Sequence, residues 1–153
     1  MAGGTMAAGA VFRIVVGVDG SDSSFAALAW ALDEALLRSG AVYVVTAWHY
    51  PVIGDAAGRA EDHEAFGDSA RQAHADAMRR ASEAGVTVTG EVTEGHPADV
   101  LLKAAAGADL LVVGSRGHGG FAEMLLGSVS SHAVQHARCP VLVVRSGADT
   151  VPG

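Results

Sequence analysis

The sequence predicts an α/β fold: a five-stranded parallel sheet, doubly wound, with helices on both faces. Three observations carry that expectation. Five short β-branched runs punctuate the chain, at Phe12 to Val18, Val42 to Ala47, Val86 to Val92, Leu110 to Val113 and Val141 to Val144. Helical periodicity fills every gap between them, so the order is strictly β-α-β-α-β-α-β-α-β. Four of the runs are nearly continuous Val, Ile and Leu, as expected of strands buried on both faces of a parallel sheet.

The third run, Val86-Thr87-Val88-Thr89-Gly90-Glu91-Val92, alternates instead, and is therefore expected at an exposed edge. The first helix places Phe25, Leu28, Ala29, Leu32 and Leu36 on one face and ends at Gly40. The second runs from about Glu61 to Ala84, with Phe66, Ala70, Ala73, Ala77 and Ala81 on its apolar side, and stops at Gly85. The third opens on Pro97 and closes near Gly107, and the fourth spans about Ser128 to Ala137. Right-handed crossovers between parallel strands give a doubly wound sheet, whose common five-strand order is 3-2-1-4-5. Alternation alone does not prove that order. If it holds, the chain reverses direction between strands 1 and 4, and ligands bind outside the carboxyl ends of those two strands.

At 153 residues the chain suits one domain, read as 11–146 between flexible tails at 1–10 and 147–153. The tail from Met1 to Ala10 lacks the basic and apolar regions of a secretory signal, and no run is long enough to span a bilayer. The net charge of -7, with one lysine and nine scattered arginines, argues against binding nucleic acid or anionic membrane. A phosphate ligand would need backbone amides, a helix terminus or a metal ion instead. The single cysteine, Cys139, precedes a strand and forms no intrachain disulfide, which fits a reducing, cytoplasmic setting.

The two most unusual loops follow strands 1 and 4: Asp19-Gly20-Ser21, and Gly114 through Ser130. Gly114 and Gly117 would let backbone approach a ligand closely. Gly127-Ser128 opens the fourth helix, where free amides and the positive dipole end favour phosphate oxygens, with the Ser128 and Ser130 hydroxyls as added donors. The same Gly-Ser is equally an ordinary N-cap. Asp19 likewise has two readings, contact with a ligand at the switch point or organisation of its own turn. The stretch from His49 to Ala60 serves either as a lid over the crevice or as a surface connection.

The spacing Gly-x2-Gly-x9-Gly-Ser resembles the ATP-binding motif of the universal stress protein family. The resemblance extends to Ile14-Val15-Val16-Gly17-Val18-Asp19-Gly20-Ser21 and to Cys139-Pro140-Val141-Leu142-Val143-Val144. It implies the three-layer fold of adenine nucleotide alpha hydrolases and flavodoxins, a homodimer paired through Val141 to Val144, and ATP with Mg2+ or Mn2+ on its phosphates. Carried over residue by residue, Val18 and Asp19 would meet the adenosine, Ala47 would present its backbone to adenine, and Val113 would line the base. Gly114, Arg116 and Gly117 would approach ribose and phosphates, and Gly127, Ser128, Val129 and Ser130 would hold the phosphate chain. The implied role is a nucleotide-dependent regulatory protein of the stress response.

Other chemistries find less support. Gly114-Ser115-Arg116-Gly117 is one residue short of a nucleophile elbow, and no Walker loop occurs. Slow ATP hydrolysis is the enzymatic alternative, but no base for water is evident. A flavin protein would carry its phosphate loop after strand 1, and a receiver domain would need an acidic pair there. His132 and His136 stand four apart on the last helix, a metal-sharing interval, but without a third ligand they are read as a solvated face.

Overall fold

The computed structural model describes residues 10–50, 60–116 and 126–146. Nine elements alternate: β1 (Arg13–Gly17), α1 (Asp22–Arg38), β2 (Ala41–Trp48), α2 (Ala60–Ser82), β3 (Thr87–Glu94), α3 (Pro97–Ala104), β4 (Leu110–Gly114), α4 (Ser128–His136) and β5 (Val141–Val144). The strands form one sheet in the order β3-β2-β1-β4-β5, the arrangement expected from alternation. Every pairing is parallel, and β1 lies between β2 (Ile14 beside Val42) and β4 (Ile14 beside Leu110). The alternating run forms the β3 edge, paired only with β2. Both proposed tails, except Ala10, lie outside the described residues, as does 51–59 of the proposed lid.

Alternation of side chains along the strands divides the core in two. Ile14, Val16, Val42, Val44 and Val112 pack with Ala27, Leu28, Ala31 and Ala35 of α1 and Ala77 of α2. Val15, Val45, Leu111 and Val113 pack on the other face with Leu101 of α3 and Ala133 of α4. These are the two faces of a three-layer sandwich, each sealed by small or aliphatic side chains.

The α1 face differs from the periodicity's choice. The structure buries Ser23, Ser24, Ala27, Leu28, Ala31 and Ala35, while Ala29 is exposed and Leu36 is 59% exposed. The reason is close approach: a Cβ on Gly114 at the end of β4 would stand 2.7 Å from the Ser23 carbonyl carbon and 2.8 Å from the Ser24 nitrogen. Only small residues fit between the first turn of α1 and the end of β4 at that distance, which sets Ser23 and Ser24 inward, and the face they define carries Ala27, Leu28, Ala31 and Ala35 inward with them. Phe25 and Leu32 remain half-buried against the core's flank. In α2 the alanines at 70, 77 and 81 are buried with Gly67, but Phe66 is 46% exposed and meets the Tyr50 ring edge-on, 5.1 Å between centroids.

Gly40 does not itself end α1. Ser39 adopts the left-handed conformation, φ 53, and Gly40 donates its amide to the Ala35 carbonyl at 2.7 Å, closing the last turn. Glycine is needed at 40 because a Cβ there would meet the Phe12 carbonyl oxygen at 2.5 Å.

His74 of α2 is wedged against the sheet. Its Nδ1 lies 3.1 Å from the hydroxyl of buried Thr46, and a Cβ on Gly90 would come within 2.7 Å of its ring. Burial pushes the imidazole below its ordinary value of 6.5. The folded chain thus binds the proton less readily than the unfolded chain. This contribution to stability is intact above pH 6.5 and is lost as pH falls below it toward the folded value.

Two predictions follow from this packing. Between about pH 7 and pH 5 the urea midpoint of the native chain should fall further than that of His74→Gln, and equal falls would contradict the assignment. Gly114→Ala should destabilise by about 1–3 kcal/mol through backbone overlap with α1. An unchanged denaturation midpoint in that variant would show that the close approach is not a constraint.

Candidate functional site

The loop after β1 leads to α1 on one face of the sheet, and the loop after β4 leads toward α4 on the other. Because β1 and β4 are neighbours, the two loops part company at adjacent strand ends and leave a crevice. A cavity of about 760 Å3 opens there. Of the residues singled out in the sequence, Val18, Asp19, Ala47, Val113, Gly114, Arg116, Gly127, Ser128, Val129 and Ser130 line it. Gly117 lies outside the described residues.

Hydrogen bonds fix the β1 side. The Asp19 carboxylate accepts from the Ser21 amide at 2.9 Å and from the Ser21 hydroxyl, while the Asp19 amide donates to Ser24 Oγ at 3.3 Å. Asp19 therefore organises its own turn, the local role open to it from the sequence, while also facing the cavity. Ser21 caps α1, accepting from the Ser24 amide. The Ser23 hydroxyl donates to the Arg116 carbonyl, tying the first turn of α1 to the loop beyond β4.

On the α4 side one carbonyl takes two hydrogen bonds. Ser115 O accepts the Gly127 amide at 2.6 Å and the Ser130 hydroxyl at 2.8 Å, although fifteen residues separate Ser115 from Ser130. The Ser130 hydroxyl also reaches Gly127 O at 3.1 Å, and Ser130 is 2% exposed. Its proton is committed to anchoring α4, so the hydroxyl is not the spare phosphate donor expected from the sequence. Gly127 is extended, φ -74 and ψ 172, and supplies no side-chain cap. Among the described residues, no acceptor takes the amides of Ser128, Val129 or Ser130, the first three of α4. Ser128 is exposed and its hydroxyl is free to face the cavity.

Sequence reasoning missed the far wall. Trp48 and His49 at the exit of β2, and His96 and Pro97 at the start of α3, also line the cavity. His49 and His96 stack with centroids 5.6 Å apart. They carry no local motif, but the expected strand order already set the ends of β2 and β3 side by side, which was the available signal. Gln72 and Asp76 enter from α2, with Asp76 accepting from Gln72 Nε2 at 3.3 Å and from Arg79 at 2.9 Å. Among the described residues, no group of three His, Cys, Asp or Glu could cage a metal ion. Cys139 is half-buried, and burial, the leading cause, raises its thiol above the usual range, so it is a packing residue. No described helix is long and apolar enough to cross a membrane.

The chain matches the sequence model of the universal stress protein family over residues 11–145. It is 39% identical over 134 residues to the universal stress protein Rv2623 of Mycobacterium tuberculosis, an alignment covering 86% of this chain and 44% of that one. The chain thus spans less than half the length of that relative. A universal stress protein solved in complex with cAMP superposes with a TM-score of 0.67 at 33% identity, covering 88% of this chain and 97% of that one. Another, from Archaeoglobus fulgidus in complex with dAMP, gives 0.65 at 25% identity, covering 87% and 97%. The chain belongs to the universal stress protein family.

Proposed function

We propose that this chain is an ATP-binding universal stress protein, acting in the cytoplasm as a nucleotide-dependent regulator of the stress response. The observation that carries the reading is the first turn of α4, whose three amides, uncapped among the described residues, border the cavity that Asp19 and Ala47 enter from the other side. Such a terminus favours phosphate oxygens through its amides and its dipole. Adenine nucleotides in two related structures support the ligand class.

In this reading Val18, Ala47 and Val113 enclose the adenine, Asp19 accepts from the ribose, Gly114, Arg116 and Gly117 approach ribose and phosphates, and Gly127 to Ser130 hold the phosphate chain. The chain offers no cage of its own for a metal ion among the described residues, so Mg2+ or Mn2+ would be held chiefly by the phosphates. Binding is favoured over turnover because the cavity's described acid–base groups have other partners: Asp76 is held by Gln72 and Arg79, His49 and His96 stack on each other, and Asp19 is turned to Ser21 and, in this reading, to the ribose. The open edge at β5, paired only with β4 and carrying the half-buried Val141, Leu142 and Val143, supports pairing of two copies there.

Ser128→Pro tests the phosphate cradle with little structural cost. Proline is favoured at the first helical position, and Gly127 already has the extended backbone a following proline requires. The substitution removes one amide donor and one hydroxyl. A hydrogen bond to a charged group contributes about 1.5–3 kcal/mol, so calorimetric titration should show ATP affinity reduced at least about tenfold, with adenosine affinity unchanged. Undiminished ATP binding, or an equal loss for adenosine, would contradict the cradle.

A further inference from the structure

We propose that His132 and His136 form a bis-imidazole site on α4 for a divalent first-row transition cation of square-planar preference, Cu2+ above Ni2+. The two residues stand on consecutive turns, and their rings lie with centroids 4.4 Å apart and planes tilted at 42°. With metal–nitrogen bonds of about 2.0–2.1 Å, an imidazole centroid stands roughly 3.2 Å from the metal, so two imidazoles sharing one ion in adjacent positions have centroids about 4.5–5.2 Å apart. The observed 4.4 Å brings the two rings within reach of one ion with little rearrangement. Among divalent first-row ions an imidazole pair binds Cu2+ most tightly, with Ni2+ below it.

The other close histidine pair is set wider: His49 and His96 are 5.6 Å apart and stacked, with planes 28° from parallel. Position on the helix adds a second argument. His136 lies in the last turn of α4, where the partial negative charge of the terminal carbonyls favours a cation. His136 is exposed and His132 half-exposed, so an ion reaches them from solvent without opening the core. No third His, Cys, Asp or Glu joins them among the described residues, and water fills the remaining coordination positions. His136 stands about 12 Å along the helix axis from Ser128, so the site is separate from the proposed phosphate cradle.

The test is titration of the full chain with Cu2+, followed by electron paramagnetic resonance and calorimetry, in native protein, His132→Gln, His136→Gln and His49→Gln. The first equivalent should give a tetragonal signal with hyperfine coupling to two imidazole nitrogens. Loss of either clamp histidine removes the intramolecular second ligand and should weaken that equivalent about tenfold or more. Circular dichroism of His136→Gln should match the native chain, because the side chain is exposed. His49→Gln should bind as the native protein does. Unchanged affinity in both clamp variants, or a loss seen only in His49→Gln, would overturn the assignment.

Discussion

The carbonyl of Ser115 organises the site. It receives the Gly127 amide and the Ser130 hydroxyl together, so the start of α4 is pinned against the end of β4 despite the intervening loop. One residue further on, the Arg116 carbonyl receives the Ser23 hydroxyl and pins α1 to the same strand end. Two helices from opposite faces of the sheet are thereby referenced to one short piece of backbone. Ser115 is fully buried, so these bonds form away from competing water, where leaving a polar group unpaired is costly. The cavity between the helices owes its shape to that junction.

The junction also explains the residue sizes around it. Gly114, Ser23 and Ser24 are small because β4 and the first turn of α1 nearly touch, and the face so oriented leaves Trp30, Leu36 and Leu37 on the outer side of α1. A chain with one lysine and a net charge of -7 is poorly equipped to hold phosphate with clustered side-chain cations. Backbone amides at a helix terminus supply the same attraction without adding basic surface, which keeps such a site from attracting nucleic acid indiscriminately.

Most of the architecture was legible because strands buried on both faces leave continuous Val and Ile runs, and because the edge strand alternates. The strand order was expected and is observed. The α1 face was misread by about one residue's rotation, since hydrophobicity ranked Leu36 above Ala35 while the sheet selected for size. Gly114 was read as making room for a ligand, yet the structure shows that α1 alone already requires it. Ser130 was read as a phosphate donor, although its hydroxyl anchors the helix. The shared error is that a sequence marks where small and polar residues occur without showing which neighbour they serve. In the sequence His49 figures only as the start of a possible lid, and its stacking with His96 shows only in the fold that brings the two together.

In the proposed function the first turn of α4 and the end of β1 form one nucleotide site. Titrating isotopically labelled protein with ATP and Mg2+, and following the amide resonances, tests it most directly. The largest shifts are expected at Gly127, Ser128, Val129 and Ser130, with smaller ones at Asp19 and Ala47 and none along β3. An unperturbed α4 at saturating ATP, or shifts confined to another surface, would contradict it.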